Sequence, residues 1–125
     1  MKPDLRKLPD GELEVMQAVW DCTPPATRGE ISQRLEQSHP MAPTTLLTVL
    51  SRLGEKGFLR IEKEGRSARY VPLVTRQAYL AGQSRRFLDK LCQGSLPAFA
   101  AALCDSGLTR EELDELRDLL ERGGL

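Results

Sequence analysis

The chain has 125 residues, 40% apolar and 29% charged, which suits one folded domain, or a small domain with an appendage, so disorder is not the default for any long stretch. Its formal net charge is zero, but residues 1–41 carry 5 basic and 7 acidic side chains, residues 42–92 carry 10 and 4, and residues 93–125 carry 3 and 7. A basic block between two acidic flanks is read as a solvated charged face or as a surface for an anionic partner, and the total charge does not choose between them.

The first predicted helix runs from Asp10 to Cys22. Leu13, Met16 and Trp20 recur at i, i+3 and i+7, joined by Val19, and Thr23-Pro24-Pro25 ends the segment. A second helix covers Arg28 to Gln37. It opens on Thr27-x-x-Glu30, a capping box in which hydroxyl and carboxylate satisfy backbone donors reciprocally, and Ile31 and Leu35 form its inner edge. A third helix covers Pro43 to Lys56, with proline at its first position and Gly57 just past its end. Its stripe is Leu46, Val49, Leu50 and Leu53, and its far face carries Thr44, Thr48, Ser51, Arg52 and Glu55. Two short strands follow, 58–61 and 70–73, joined by a charged stretch, 62–69, centred on the turn glycine Gly65; Pro72 marks an edge or a strand end. The period is helical again over Arg76–Cys92, over Leu96–Cys104, and from a second capping box, Thr109-x-x-Glu112, to Arg122.

The N-terminus, MKPDLRKLPDGELEV, lacks the apolar core of a secretory signal, and the longest nearly apolar run, Leu96–Cys104, is far short of the ~20 residues that span a bilayer. The expectation is a cytoplasmic protein with no direct membrane binding. Cys22, Cys92 and Cys104 are widely spaced with no CxxC pair, and His39 has no ligand cluster beside it, so no metal or cofactor is implied and the cysteines are read as free thiols. No nucleophile–base pair or phosphate-cradling glycine loop appears, which argues against an enzyme.

Three helices followed by a charged hairpin is the order of a winged helix-turn-helix, whose third helix enters the major groove. Such a helix needs an apolar face to seat it on its core and an outer face of short donors and acceptors. Thr44, Thr45 and Thr48 supply hydroxyls and Arg52 a guanidinium; Leu47 lies at the flank, where an exposed leucine would pack on thymine methyls. On the hairpin, Lys63, Arg66, Ser67 and Arg69 suit the phosphate backbone. The bland alternatives are ordinary surface threonines and a soluble turn diluted by Glu62 and Glu64. The fold expected is mainly α with a small β-hairpin wing: a DNA-binding domain over 1–74 and a helical dimerisation domain over 75–125.

In order and spacing the chain resembles the BlaI/MecI-type penicillinase repressors. The matching residues are Leu8, Glu12-Leu13-Glu14-Val15-Met16 and Trp20; Pro43-x-Thr45-x-x-Thr48-x-x-x-Arg52-Leu53; Lys56-Gly57-Phe58; Tyr70-x-Pro72-Leu73-Val74; and in the tail Phe87-Leu88, Gly94 and Leu108-Thr109-x-x-Glu112-Leu113-x-Glu115-Leu116. The resemblance implies a homodimeric repressor on a two-fold symmetric double-stranded DNA operator. It also implies a co-encoded membrane sensor protease, with induction by cutting near Ala102-Leu103, where the family typically carries Asn-Phe. The best-known members have lysine and arginine where this chain has Thr44 and Leu47, so a different operator is expected.

The tail's apolar positions are Phe87, Leu88, Leu91, Leu96, Phe99, Leu103, Leu113, Leu116 and Leu120. About 50 residues are marginal as an independent core. A second copy is the expected partner, and folding back onto the chain's own winged helix is the alternative. The competing functional reading is a winged-helix protein–protein interaction module without specific DNA binding.

Overall fold

Alternating apolar spacing and well-formed helix ends define the elements in this computed structural model, which describes residues 7–123. Helix α1 (Asp10–Asp21) buries Glu12, Val15, Met16 and Val19, the i, i+3, i+4, i+7 pattern. The buried stripe is therefore rotated from the predicted one: Leu13 and Trp20 pack at its margins. The buried carboxylate of Glu12, 7% exposed, is reconciled with the interior by the Lys56 ammonium 2.5 Å away.

Strand β1 is two residues, Ala26–Thr27, and leads directly into α2 (Arg28–Leu35). Thr27 also caps α2: its hydroxyl accepts the Glu30 N–H at 3.1 Å, and Glu30 accepts the Thr27 N–H at 2.9 Å, completing the predicted capping box. Helix α3 (Pro43–Glu55) buries Leu46, Val49, Leu50 and Leu53, the predicted face. It ends in a Schellman motif: Gly57, at φ +84°, donates to the Gly54 carbonyl and Phe58 to the Leu53 carbonyl. That sharp exit turns Phe58 into the core and launches the wing.

The wing is β2 (Leu59–Glu64) and β3 (Ser67–Pro72), and the sheet order is β1-β3-β2, antiparallel throughout. The expected charged loop over 62–69 is mostly strand. Only Gly65 and Arg66 lie between the strands, with Gly65 at φ +60°, the first position of a primed two-residue turn that demands glycine. Pro72 ends β3, but β3 is the central strand, not an edge.

Helix α4 (Arg76–Arg86) is anchored to α1 at its start. Trp20 Nε1 donates to the Val74 carbonyl, and Arg76 reaches Asp21 at 2.8 Å and stacks over the Trp20 ring. Tyr79 completes the core. Its hydroxyl accepts the Leu8 N–H at 2.9 Å and its ring meets Trp20 and Phe58.

The chain divides into two compact units, one up to Gln83 and the other from Ser84 on. In the second, the predicted long helix changes hydrogen-bonding step: Phe87–Leu91 form a π-helical turn. Helix α5 (Leu96–Asp105) is capped by the Ser95 hydroxyl, and α6 (Arg110–Arg122) by the predicted Thr109–Glu112 box. The Phe87 and Phe99 rings meet edge to face at 5.4 Å. The three cysteines are free, and burial pushes the Cys22 thiol upward from its ordinary value. No helix among the described residues is long and apolar enough to cross a membrane.

Candidate nucleic-acid interface

The leucine face of α3 is sunk in the core, so its opposite face must be open. Thr44, Thr45, Leu47, Thr48, Ser51 and Arg52 are all exposed. At about 100° per residue, Thr44, Thr48 and Ser51 point directly away from the buried stripe. Leu47 lies along one edge of this face, and Thr45 and Arg52 lie along the other. The Thr48 hydroxyl donates to the Thr44 carbonyl at 3.1 Å, so its proton is committed to the backbone while its lone pairs remain available. Among the described residues Arg52 forms no ion pair.

The Leu47 edge borders a cleft. Its walls are the start of α2 (Thr27, Arg28, Gly29), Leu47 from α3, and the wing residues Arg66, Ser67, Ala68, Arg69 and Tyr70. The cleft exists because β1 pairs with β3, setting Thr27 opposite Arg69 and Ala26 opposite Tyr70. That register brings the α2 N-terminus, where the Glu30 carboxylate accepts from the Thr27 N–H and hydroxyl, against the wing. Arg28, Arg66 and Arg69 therefore line one cleft. Burial raises the Tyr70 phenol, a shift that the Arg28 charge opposes.

Of the residues singled out on the wing, Arg66, Ser67 and Arg69 line this cleft, whereas Lys63 is exposed on β2 outside it. Arg69 is half-buried and shares its charge with Glu64 at 3.4 Å; Arg66, at the tip, is exposed and forms no ion pair among the described residues. Thr44, Thr45, Thr48 and Arg52 stand outside the cleft on the open face of α3. Arg28 and Gly29 escaped the sequence reading. The capping box located the helix start, but nothing local to it says that the wing closes over that end.

In the second unit, no described residue from Ser84 onward is buried. Phe87, Leu91, Leu96 and Leu120 are exposed, while Leu88, Phe99, Leu103, Leu113 and Leu116 are half-buried. Leu91 and Leu96 are 74% and 68% exposed. Ala102 is exposed and Leu103 half-buried, both within α5.

The penicillinase repressor family model matches residues 8–122. The chain is 33% identical over 121 residues to the penicillinase repressor of Bacillus licheniformis, covering 94% of each chain. It is 25% identical over 117 residues to the methicillin resistance regulatory protein MecI of Mammaliicoccus sciuri, covering 93% of this chain and 94% of the other. Among solved structures, the solution structure of the DNA binding domain of the repressor BlaI matches with a TM-score of 0.53 at 32% identity, over 62% of this chain and 94% of that one. The first unit thus has the winged-helix fold, and a match running almost end to end extends the likeness through the tail: the chain belongs to the penicillinase repressor family.

Proposed function

We propose that this chain is a transcriptional repressor that binds a two-fold symmetric DNA operator as a homodimer. One observation supports the reading: Leu47, exposed on the open side of α3, also lines the cleft that holds Arg28, Arg66 and Arg69, so the two surfaces adjoin. The α3 face suits the major groove, with Thr44, Thr45, Thr48 and Arg52 toward base edges and nearby phosphates. Arg28 and Arg66, with Arg69, suit the backbone on the wing side, where each neutralised phosphate releases counterions. Lys63 adds longer-range attraction. An even total charge does not oppose this, because the charge is segregated along the chain.

The second unit supplies dimerisation in this reading. Leucines left open along the π-helical turn, α5 and α6 are satisfied by the same face of a second copy, as a two-fold interface requires. Two linked heads then bind half-sites with the advantage of effective concentration. Release by a co-encoded membrane sensor protease would act at Ala102–Leu103. Since α5 holds that bond in helix, cutting there requires local unwinding.

The test is a titration of the full chain against duplexes selected from a random pool, at several salt concentrations. Tight, sequence-selective binding whose logarithm falls steeply and linearly with the logarithm of salt is the expected result. Absence of duplex binding would overturn the repressor reading and leave the interaction-module alternative.

A further inference from the structure

Leu47 is out of place by the ordinary rules of a cationic surface. It is 43% exposed on α3, yet it lines one cleft together with the start of α2 and with Arg28, Arg66 and Arg69. An apolar protein partner covering Leu47 would bury Arg28 and Arg66, which form no ion pair among the described residues, at a cost well above the gain from one leucine. An occupant that fits must be apolar at one point and anionic on its flanks. The major-groove edge of a thymine is such an object: its C5-methyl projects into the groove between two phosphate backbones.

The neighbouring groups sharpen this assignment. Thr48, about 100° round the helix from Leu47, has spent its hydroxyl proton on the Thr44 carbonyl, so it donates nothing toward a base edge. Arg52 lies across the helix, about 140° from Leu47 at 100° per residue. The guanidinium of Arg52 therefore reads hydrogen-bonding edges on its own side, and Leu47, flanked by the exposed Thr44 and Ser51, is the residue of this face that offers apolar contact alone.

Resting on the repressor reading, we infer that Leu47 is a specificity-determining residue that selects a thymine in each half-site through its C5-methyl group. The decisive substitution is thymine to uracil, which removes that methyl and leaves Watson–Crick pairing intact. The preferred duplex of the wild-type chain is selected from a random pool, each fixed thymine is replaced by uracil in turn, and binding is compared by competition. At one thymine per half-site, the replacement weakens wild-type binding by about fourfold, the loss of one buried carbon's transfer energy. Leu47→Ala, at an exposed position, melts like wild type and binds the thymine and uracil duplexes equally, with an unchanged salt slope. Equal wild-type binding at every thymine, a preferred duplex with no fixed thymine, or discrimination that survives in Leu47→Ala overturns the assignment while leaving the repressor reading intact. A wild-type chain that binds no duplex overturns both.

Discussion

Truncating Leu91 to alanine tests the second unit's role most directly. Leu91 is 74% exposed, so about three-quarters of its transfer energy is still to be gained from a partner. Full burial of a leucine side chain gains ~1.5–3 kcal/mol, which leaves about 1–2 kcal/mol per copy. A two-fold interface contains the residue twice, so Leu91→Ala weakens the dimer by about 2–4 kcal/mol. That corresponds to roughly 30- to 1000-fold in the dimer Kd. Sedimentation equilibrium across a dilution series measures it. A parallel DNA titration supplies the functional consequence: binding to a two-half-site operator falls at protein concentrations below the new Kd, while binding to an isolated half-site is unchanged. The first unit's melting stays where it was, because its core does not include Leu91. A dimer Kd within threefold of wild type would refute the placement of Leu91 in the interface. Monomeric wild-type chain at micromolar concentration would refute the dimer itself.

Three further outcomes follow from named contacts. Arg66→Ala, at the wing tip, weakens binding to all duplexes about equally and flattens the log–log salt slope by about one; a change in preferred sequence instead would mean that the wing reads bases. Tyr79→Phe keeps the ring contacts with Trp20 and Phe58 but strands the Leu8 N–H, so urea denaturation of the first unit should show a loss of about 1–3 kcal/mol, and an unchanged midpoint would show the bond to be dispensable. Glu30→Gln addresses pH. Hydrogen bonds from the Thr27 backbone and hydroxyl hold the Glu30 carboxyl below the usual carboxylate range, so its stabilisation is present above the ordinary carboxylate pKa and is lost as the pH falls through the depressed folded value. Thermal melts should therefore separate wild type from Glu30→Gln at neutral pH and converge in acid once the pH has fallen through that depressed value; a constant gap would assign the effect to shape alone.

What could be read in the chain beforehand was whatever a single element encodes by itself. The stripe Leu46, Val49, Leu50, Leu53 repeats with the helical period and leaves Thr44, Thr48 and Arg52 outside, so α3 and its open face were legible. Both capping boxes and the glycine exit at Gly57 are local hydrogen-bond chemistry and were equally legible. The wing strands were cut short because β2 and β3 project into solvent. Glu62, Lys63 and Glu64 do not alternate with apolar residues, and the pairing is held by the ladder and by cross-strand charges such as Glu64 with Arg69. The α1 stripe was misphased because its buried positions include Glu12, whose partner Lys56 lies 44 residues away. Strand β1 was invisible for a related reason: two residues carry no period, and Ala26–Thr27 is a strand only because Tyr70 and Arg69 lie beside it.

That one unread pairing accounts for most of what was missed at the site. Without β1 against β3, Arg28 is simply the first residue of a surface helix, and Leu47 is an exposed leucine at the edge of a polar face. With it, the α2 N-terminus meets the wing, Arg28 joins Arg66 and Arg69, and Leu47 becomes the α3 residue that lines their cleft. Helix α3 is thus specified within its own 13 residues, whereas its electrostatic setting is specified by a two-residue contact between segments more than 40 positions apart. Substitutions that weaken the β1–β3 register while sparing the core should therefore erode phosphate contacts on the wing side before they disturb the hydroxyl and guanidinium face of α3.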